Sequence, residues 1–279
     1  MVALIRTVGI YGLGMMGGSL AQLIRQQYPD MPIYGYDTDA RTVAYAKTEG
    51  TLTVVASALS QWPRDVSLVF VCTPMAAVID GIHVLDDYLD AQSILTDISS
   101  VKQFCQGRLP SHRCVVSGHP MAGKSEGGIW HADAHCLRGA TYFLQPNSHN
   151  RYVDVVLFLR SLTFNLVEIS AKDHDQLVAA SSHFPYLMAC LTVQTAGSLP
   201  GPSMQQGISS GFKDTTRLAQ SPVQWGVDVC HLNRDHLLVL LEKMREQAQW
   251  LQTMILTNNL DELTRFFEGV QSLRKELVI

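Results

Sequence analysis

Thr7-Val8-Gly9-Ile10-Tyr11-Gly12-Leu13-Gly14-Met15-Met16-Gly17 is the stretch that decides the fold. A β-rich apolar run, residues 7–11, passes directly into Gly-x-Gly-x-x-Gly and then into an apolar helical stretch, residues 19–24. Gly12 permits the tight turn, Gly14 lets a pyrophosphate approach the backbone, and Gly17 lets helix pack on strand. The helix N-terminus offers unpaired N–H groups and a positive dipole to the phosphates, with Leu13, Met15 and Met16 bordering them. Twenty residues past Gly17, after the next apolar strand (residues 33–36), stands Asp37. A carboxylate there accepts from both ribose hydroxyls and repels a 2′-phosphate, so NAD is expected over NADP. Arg41 tempers that preference, because a nearby arginine can receive the phosphate.

Outward from this stretch, short β-rich runs alternate with helical ones at residues 7–11, 33–36, 67–72, 93–97, 114–117, 142–144 and 166–169. Runs such as Leu68-Val69-Phe70-Val71-Cys72 suit strands covered on both faces. The expected architecture is therefore α/β, a doubly wound Rossmann-type parallel sheet. Strand periodicity stops near Ser170, and residues 173–196, 235–254 and 260–277 carry helical periodicity. A break, Gly197-Ser198-Leu199-Pro200-Gly201-Pro202, falls between the first two. This divides the chain into a dinucleotide-binding domain, 1–170, and an all-α substrate and dimerisation domain, 171–279. A helical half this apolar buries its exposed stripe against a second copy, so a homodimer is expected.

The net charge of −4, with no basic run, leaves no footprint for nucleic acid or an anionic membrane and points to a small-molecule partner. Six cysteines without a C-x-x-C pair suggest neither a zinc knuckle nor a disulfide framework. With no signal-peptide pattern and no apolar stretch long enough to span a bilayer, a cytoplasmic protein is expected. His131 and His135 share a helical face beside Cys136, but no further ligands recur at metal-like spacing, so no metal is expected.

Ligands of open α/β sheets gather at the carboxyl ends of the strands. Cys72-Thr73-Pro74 ends one strand there and should border the cofactor. Asp97-Ile98-Ser99-Ser100-Val101-Lys102 ends the next, and its hydroxyls and ammonium should face the nicotinamide crevice. Ser99 then falls on the cofactor side, and Ser100 donates to a substrate oxygen; either serine also suits the N-cap of a helix containing Phe104. Gly118-His119-Pro120-Met121-Ala122-Gly123 sets an imidazole at a strand mouth, held by a proline turn. Such a group suits acid–base chemistry near neutral pH.

Gly12 to Gly17, the Asp97 to Lys102 and Gly118 to Gly123 pieces, Ser182-His183-Phe184-Pro185 and Ser210-Gly211-Phe212-Lys213-Asp214-Thr215-Thr216-Arg217 together resemble the prephenate and arogenate dehydrogenases of tyrosine biosynthesis. They stand in that family's order. The resemblance implies NAD-dependent oxidative decarboxylation of prephenate to 4-hydroxyphenylpyruvate, or of arogenate to tyrosine. It implies that His119 accepts the ring hydroxyl's proton, and that Ser100 bonds the same hydroxyl or orients His119. It further implies that Arg217 clamps the side-chain carboxylate, where a planar fork gives bidentate geometry. His183 and Tyr186 would line the substrate pocket, and His174 would approach it across the dimer; Asp173 or Asp175 beside it also suits a helix cap. The chain departs from the pattern in two places. Ser125 stands where many members carry glutamate, with Glu126 one place later, and Tyr186 stands where many have a second histidine. A reading from another class is a non-catalytic NAD-sensing dimer, in which His119 and Arg217 are structural; another joins the dinucleotide domain to a different dehydrogenase chemistry.

Overall fold

Leu68-Val69-Phe70-Val71 is wholly buried, with alternate side chains entering two different cores. This requires helices on both faces, and the computed structural model, which describes residues 5–124, 126–198 and 206–278, supplies them. The strands are β1 (Val8–Tyr11), β2 (Ile33–Tyr36), β3 (Val54–Ala56), β4 (Leu68–Val71), β5 (Ile94–Asp97), β6 (Val115–Pro120), β7 (Thr141–Leu144) and β8 (Asn165–Glu168). Among the described residues they form one sheet, ordered β3-β2-β1-β4-β5-β6-β7-β8. Leu20, Leu23 and Ile24 of α1 (Met15–Gln27) and Val155, Phe158 and Leu159 of α4 (Tyr152–Ser161) join Val8, Ile10, Leu68 and Phe70 on one face. Val78, Ile79, Ile82 and Leu85 of α3 (Val78–Tyr88) join Val69, Val71 and Leu95 on the other. The remaining helix of this half, α2 (Ala40–Glu49), is capped by Asp39, whose side chain accepts from Thr42 N.

The sheet departs from the all-parallel expectation at one place, where β6 and β7 pair antiparallel with Pro120 opposite Tyr142. No crossover helix joins them. Residues 126–140 instead pack on α1 (Asp133 N donates to Ser19 Oγ at 2.8 Å, Ala134 N to Gln22 Oε1 at 3.2 Å) and return to the same edge of the sheet. The three-residue β3, parallel to β2, is too short to register as a periodic run.

The glycine loop matches its physical reading. Gly12 has φ +102°, and a Cβ there would meet the Cys72 carbonyl carbon at 2.8 Å. A Cβ on Gly17 would meet Gly12 O at 2.0 Å, so helix and turn close only on glycine, whereas nothing lies within 4 Å of one on Gly14.

The helical expectation for 173–196 resolves into α5 (Ala171–Val178), a π-helical turn (Ala179–His183) and α6 (Phe184–Gly197). Pro185 has no N–H to donate to the preceding turn, and the wider turn absorbs the mismatch. Then come α7 (Ser210–Thr216), α8 (Val223–Leu232), α9 (Arg234–Leu256) and α10 (Leu260–Leu277). The expected break at 197–202 lies largely outside the described residues, as does Ser125. Two compact units result, one through Asn233 and one from Arg234. Helices α5 to α8 thus pack within the first unit, although the sequence groups them with the helical half. In the second, α9 and α10 form a hairpin in which Trp250 and Phe266 meet at 5.1 Å. No described helix is long and apolar enough to cross a membrane.

Gly17→Ala should therefore lower stability by about 2 kcal/mol or more in urea denaturation, while Gly14→Ala leaves stability unchanged and weakens dinucleotide binding. Equal stability of the two variants would contradict this reading of the loop.

Candidate active site

His119 lies in β6 next to the last residue of the strand, 8% exposed, rather than in the turn beyond it. Its Nδ1 is 2.9 Å from His174 Nε2. His174 Nδ1 is in turn 2.8 Å from Asp175 Oδ1. The Asp175 carboxylate also accepts from Lys102 N at 2.7 Å and Gln103 N at 2.8 Å. A carboxylate only accepts, so His174 Nδ1 donates to it, and the neutral ring's Nε2 must accept. The network thereby assigns the proton of His119 to Nδ1 and leaves the Nε2 lone pair as the basic position. Burial, and then the neighbouring His174, Lys102 and His183, hold His119 well below the usual imidazole range.

This arrangement corrects two expectations for α5. His174 reaches His119 within its own chain, not across a dimer, and both its ring nitrogens are occupied. Asp175 does not cap its own helix, where Ser170 accepts from Asp173 N; it receives the backbone of the loop after β5 instead.

His183, the last residue of the π turn, is fully buried. Asn233 Nδ2 donates to its Nδ1 at 3.1 Å and to Asp175 O at 2.8 Å. That places the His183 proton on Nε2, which has no partner among the described residues. Burial lowers its pKa to about 4, so it is a neutral N–H donor awaiting an acceptor. Trp225 stacks edge-on against His183 at 5.7 Å and Tyr186 at 5.1 Å, and its Nε1 donates to Ser100 Oγ at 3.2 Å. Trp225 thereby joins three of the expected site residues. The Tyr186 ring lies on Gly226, where a Cβ would sit 2.2 Å from the hydroxyl. Burial, then a hydrogen bond to Cys190, raise the Tyr186 pKa.

The Asp97 to Lys102 motif differs from its expected role. Lys102 is 1% exposed and its Nζ lies 2.5 Å from Asp97 Oδ2 and 3.0 Å from Ser99 Oγ. Ser99 turns its hydroxyl inward to Asp97 and to Val101 O. Neither side chain faces a crevice, because an isolated ammonium and carboxylate at this depth are tolerated only together. Ser100 is the motif's one polar side chain that remains part-exposed, and the helix that either serine was expected to cap is a single 3-10 turn, Gln103–Cys105.

Arg217 follows α7, exposed, with no ion pair among the described residues, its neighbour Asp214 included. The structure brings His119, His174, His183, Ser100 and Tyr186 into one connected neighbourhood, and leaves Arg217 outside its hydrogen bonds.

The nucleotide loop fits a dinucleotide. The N-terminus of α1 has no side-chain cap, so its N–H groups are available. Asp37 Oδ2 accepts from Leu13 N at 2.7 Å, and its Oδ1 from Asp39 N at 2.8 Å, which aims the carboxylate at the loop. Thr73 Oγ1, beside Cys72 and Pro74, is buried without a partner among the described residues. Arg41, the arginine able to receive a 2′-phosphate, lies over the Trp130 ring at 5.9 Å. The Met15 methyl would lie 3.6 Å from a Cβ on Gly123, so the loop runs beside the segment that follows His119.

Comparison with known proteins agrees with this assembly. The nucleotide-binding domain of prephenate dehydrogenase matches residues 20–162, and its dimerization domain matches residues 170–269. Prephenate dehydrogenase of Bacillus subtilis is 27% identical over 97% of this chain and 76% of its own. Prephenate dehydrogenase of A. aeolicus, crystallised with hydroxyphenyl propionate and NAD+, superposes with TM-score 0.89 at 24% identity, covering 99% of this chain and all of its own. Synechocystis arogenate dehydrogenase gives TM-score 0.78 at 25% identity, covering 98% of this chain and all of its own. With both domain models matched in order around a histidine pair at the sheet's carboxyl edge, the chain belongs to the prephenate dehydrogenase family.

Proposed function

We propose that the protein oxidatively decarboxylates prephenate to 4-hydroxyphenylpyruvate with NAD. The observation that carries this reading is the His119–His174–Asp175 chain, which leaves one basic imidazole nitrogen on the strand whose continuation runs beside the dinucleotide loop. NAD, when bound, supplies the acceptor for hydride. His119 Nε2 takes the ring hydroxyl's proton as the carbinol C–H bond breaks. The ring carboxylate leaves as CO2, its bonding pair aromatises the ring, and His119 returns the proton to the phenol oxygen. Ser100 Oγ, already accepting from Trp225, bonds the same hydroxyl. His183 Nε2–H donates to an oxygen of the substrate side chain, beside Tyr186, and Arg217 receives the side-chain carboxylate. Gly12 to Gly17, Asp37, Cys72, Thr73 and Pro74 hold the cofactor.

Arogenate, with an ammonium in place of the keto group, is the second reading. It is favoured by Tyr186 at the position where many prephenate-using members of the family carry histidine. We keep 1–170 and 171–279 as the functional division, and a cytoplasmic location.

The chain acts as a homodimer. Helix α6 is apolar around its circumference, yet Ala189 is its only residue described as buried, and such a helix needs covering. On α10, Phe267, Val270, Leu273 and Leu277 are exposed at helical spacing. Light scattering should give twice the 30.9 kDa chain mass; a monomer at micromolar concentration would contradict the proposal.

With prephenate and arogenate assayed side by side, His119→Asn should lose about 10²–10⁴-fold in kcat while retaining NAD binding. Arg217→Gln should raise KM about tenfold or more. Because the His119 pKa is depressed and the neutral ring is the active form, wild-type kcat/KM should hold as pH falls through 6.5 and drop only below it. Full activity in both variants would remove the proposed site, whereas NAD binding without turnover of either substrate by the wild type would favour the NAD-sensing dimer.

A further inference from the structure

Lys102 is a buried cation that the proton transfer just described does not use. Its ammonium is 1% exposed and sealed against Asp97, which is 0% exposed. Asp97 spends its other oxygen on Ser117 Oγ, 2.7 Å away in β6, two residues before His119. Ser99 N and Oγ both donate to Asp97 Oδ2, so the loop after β5 is folded around the pair. The backbone N–H of the same lysine donates to Asp175 Oδ1. One residue therefore ties the sheet edge, the serine loop and the carboxylate at the end of the histidine chain.

The charges around His119 come from every element packed on it. Helix α5 contributes His174 and Asp175, the π turn contributes His183, and β5 and its loop contribute Asp97 and Lys102, while β7 sets the uncharged Phe143 opposite His119. Two of these are carboxylates, and either could drive the imidazole toward its protonated form. We propose that Lys102 is a positioning residue for the proton transfer: its ammonium cancels Asp97 and pins the 97–102 loop, so that the negative charge reaching His119 is that of Asp175, delivered through His174. The inference deepens the proposed dehydrogenase reading and rests on His119 being its base. Lys102 also acts directly on the imidazole, opposing its protonation, whereas Asp97 is covered by its partner.

The sign of the effect follows. Removing the ammonium should ease protonation of His119 and move the acid limb of kcat/KM to higher pH. Lys102→Met should shift that limb by about one unit, roughly a tenfold loss of kcat/KM at a pH below it. Because breaking a buried pair is strongly destabilising while replacing both partners is often tolerated, Asp97→Asn/Lys102→Met is the second variant. It should fold, bind NAD with wild-type affinity and shift the limb upward by less than the single variant, about threefold at acid pH. A lysine that merely holds the fold would move thermal stability and leave the limb in place. An unmoved limb in the double variant, with NAD binding intact, overturns the proposal. His119→Asn in the same assay separates the two levels: if it keeps full turnover with an unchanged limb, the base assignment fails and this inference with it.

Discussion

The hydrogen bond from His174 Nδ1 to Asp175 orders the rest of the site. A carboxylate cannot donate, and once His174 gives its proton there, its Nε2 is left to accept from His119. The basic nitrogen of His119 is thereby chosen by a residue that it does not touch. The first bond lies within α5; the second, with Asp175 receiving Lys102 N and Gln103 N, joins α5 to the carboxyl edge of the sheet. The π turn after α5 then brings His183 into that interface with its own nitrogen assigned the opposite way, by Asn233. One imidazole is an acceptor and the other a donor, which suits a substrate that loses a hydroxyl proton at one end and is held by an oxygen at the other.

The sheet makes this possible by stacking its strand ends. Gly12 after β1, Thr73 after β4, Ser100 after β5 and His119 in β6 line one edge, because these strands run parallel in adjacent positions. The antiparallel return at β7 closes that edge and sets Phe143 against His174, 5.5 Å between rings. Asp97 and Lys102 lie beneath it, a buried pair that costs desolvation and returns a fixed loop.

Much of the fold was legible, because its signals are local. The strand–glycine–helix order around Gly12, the four-residue apolar run at β4 and the helical period of α9 and α10 each follow from near neighbours. The antiparallel β7 was not legible, since nothing in 126–140 states that the segment packs on α1 instead of crossing over. Motifs single out His119, His183, Ser100 and Tyr186, which the structure draws into one neighbourhood. Asp175 and Asn233 were missed as site residues because their roles are contacts over 72 and 58 residues of sequence. Trp225 was missed because an aromatic on an amphipathic helix reads as core, and only its indole N–H on Ser100 says otherwise. Ser99 and Lys102 were misdirected for a related reason. A polar residue at a strand end signals an edge, and the burial that turns it inward depends on a partner that spacing does not reveal.

The most direct measurement is the protonation of the His119 ring, read from long-range ¹H–¹⁵N correlations on histidine-labelled protein at pH 7. The hydrogen-bond chain predicts a neutral ring protonated on Nδ1, with Nε2 bare, and loss of that preference in Asp175→Asn. A His119 ring protonated on Nε2, or an imidazolium at pH 7, would contradict it.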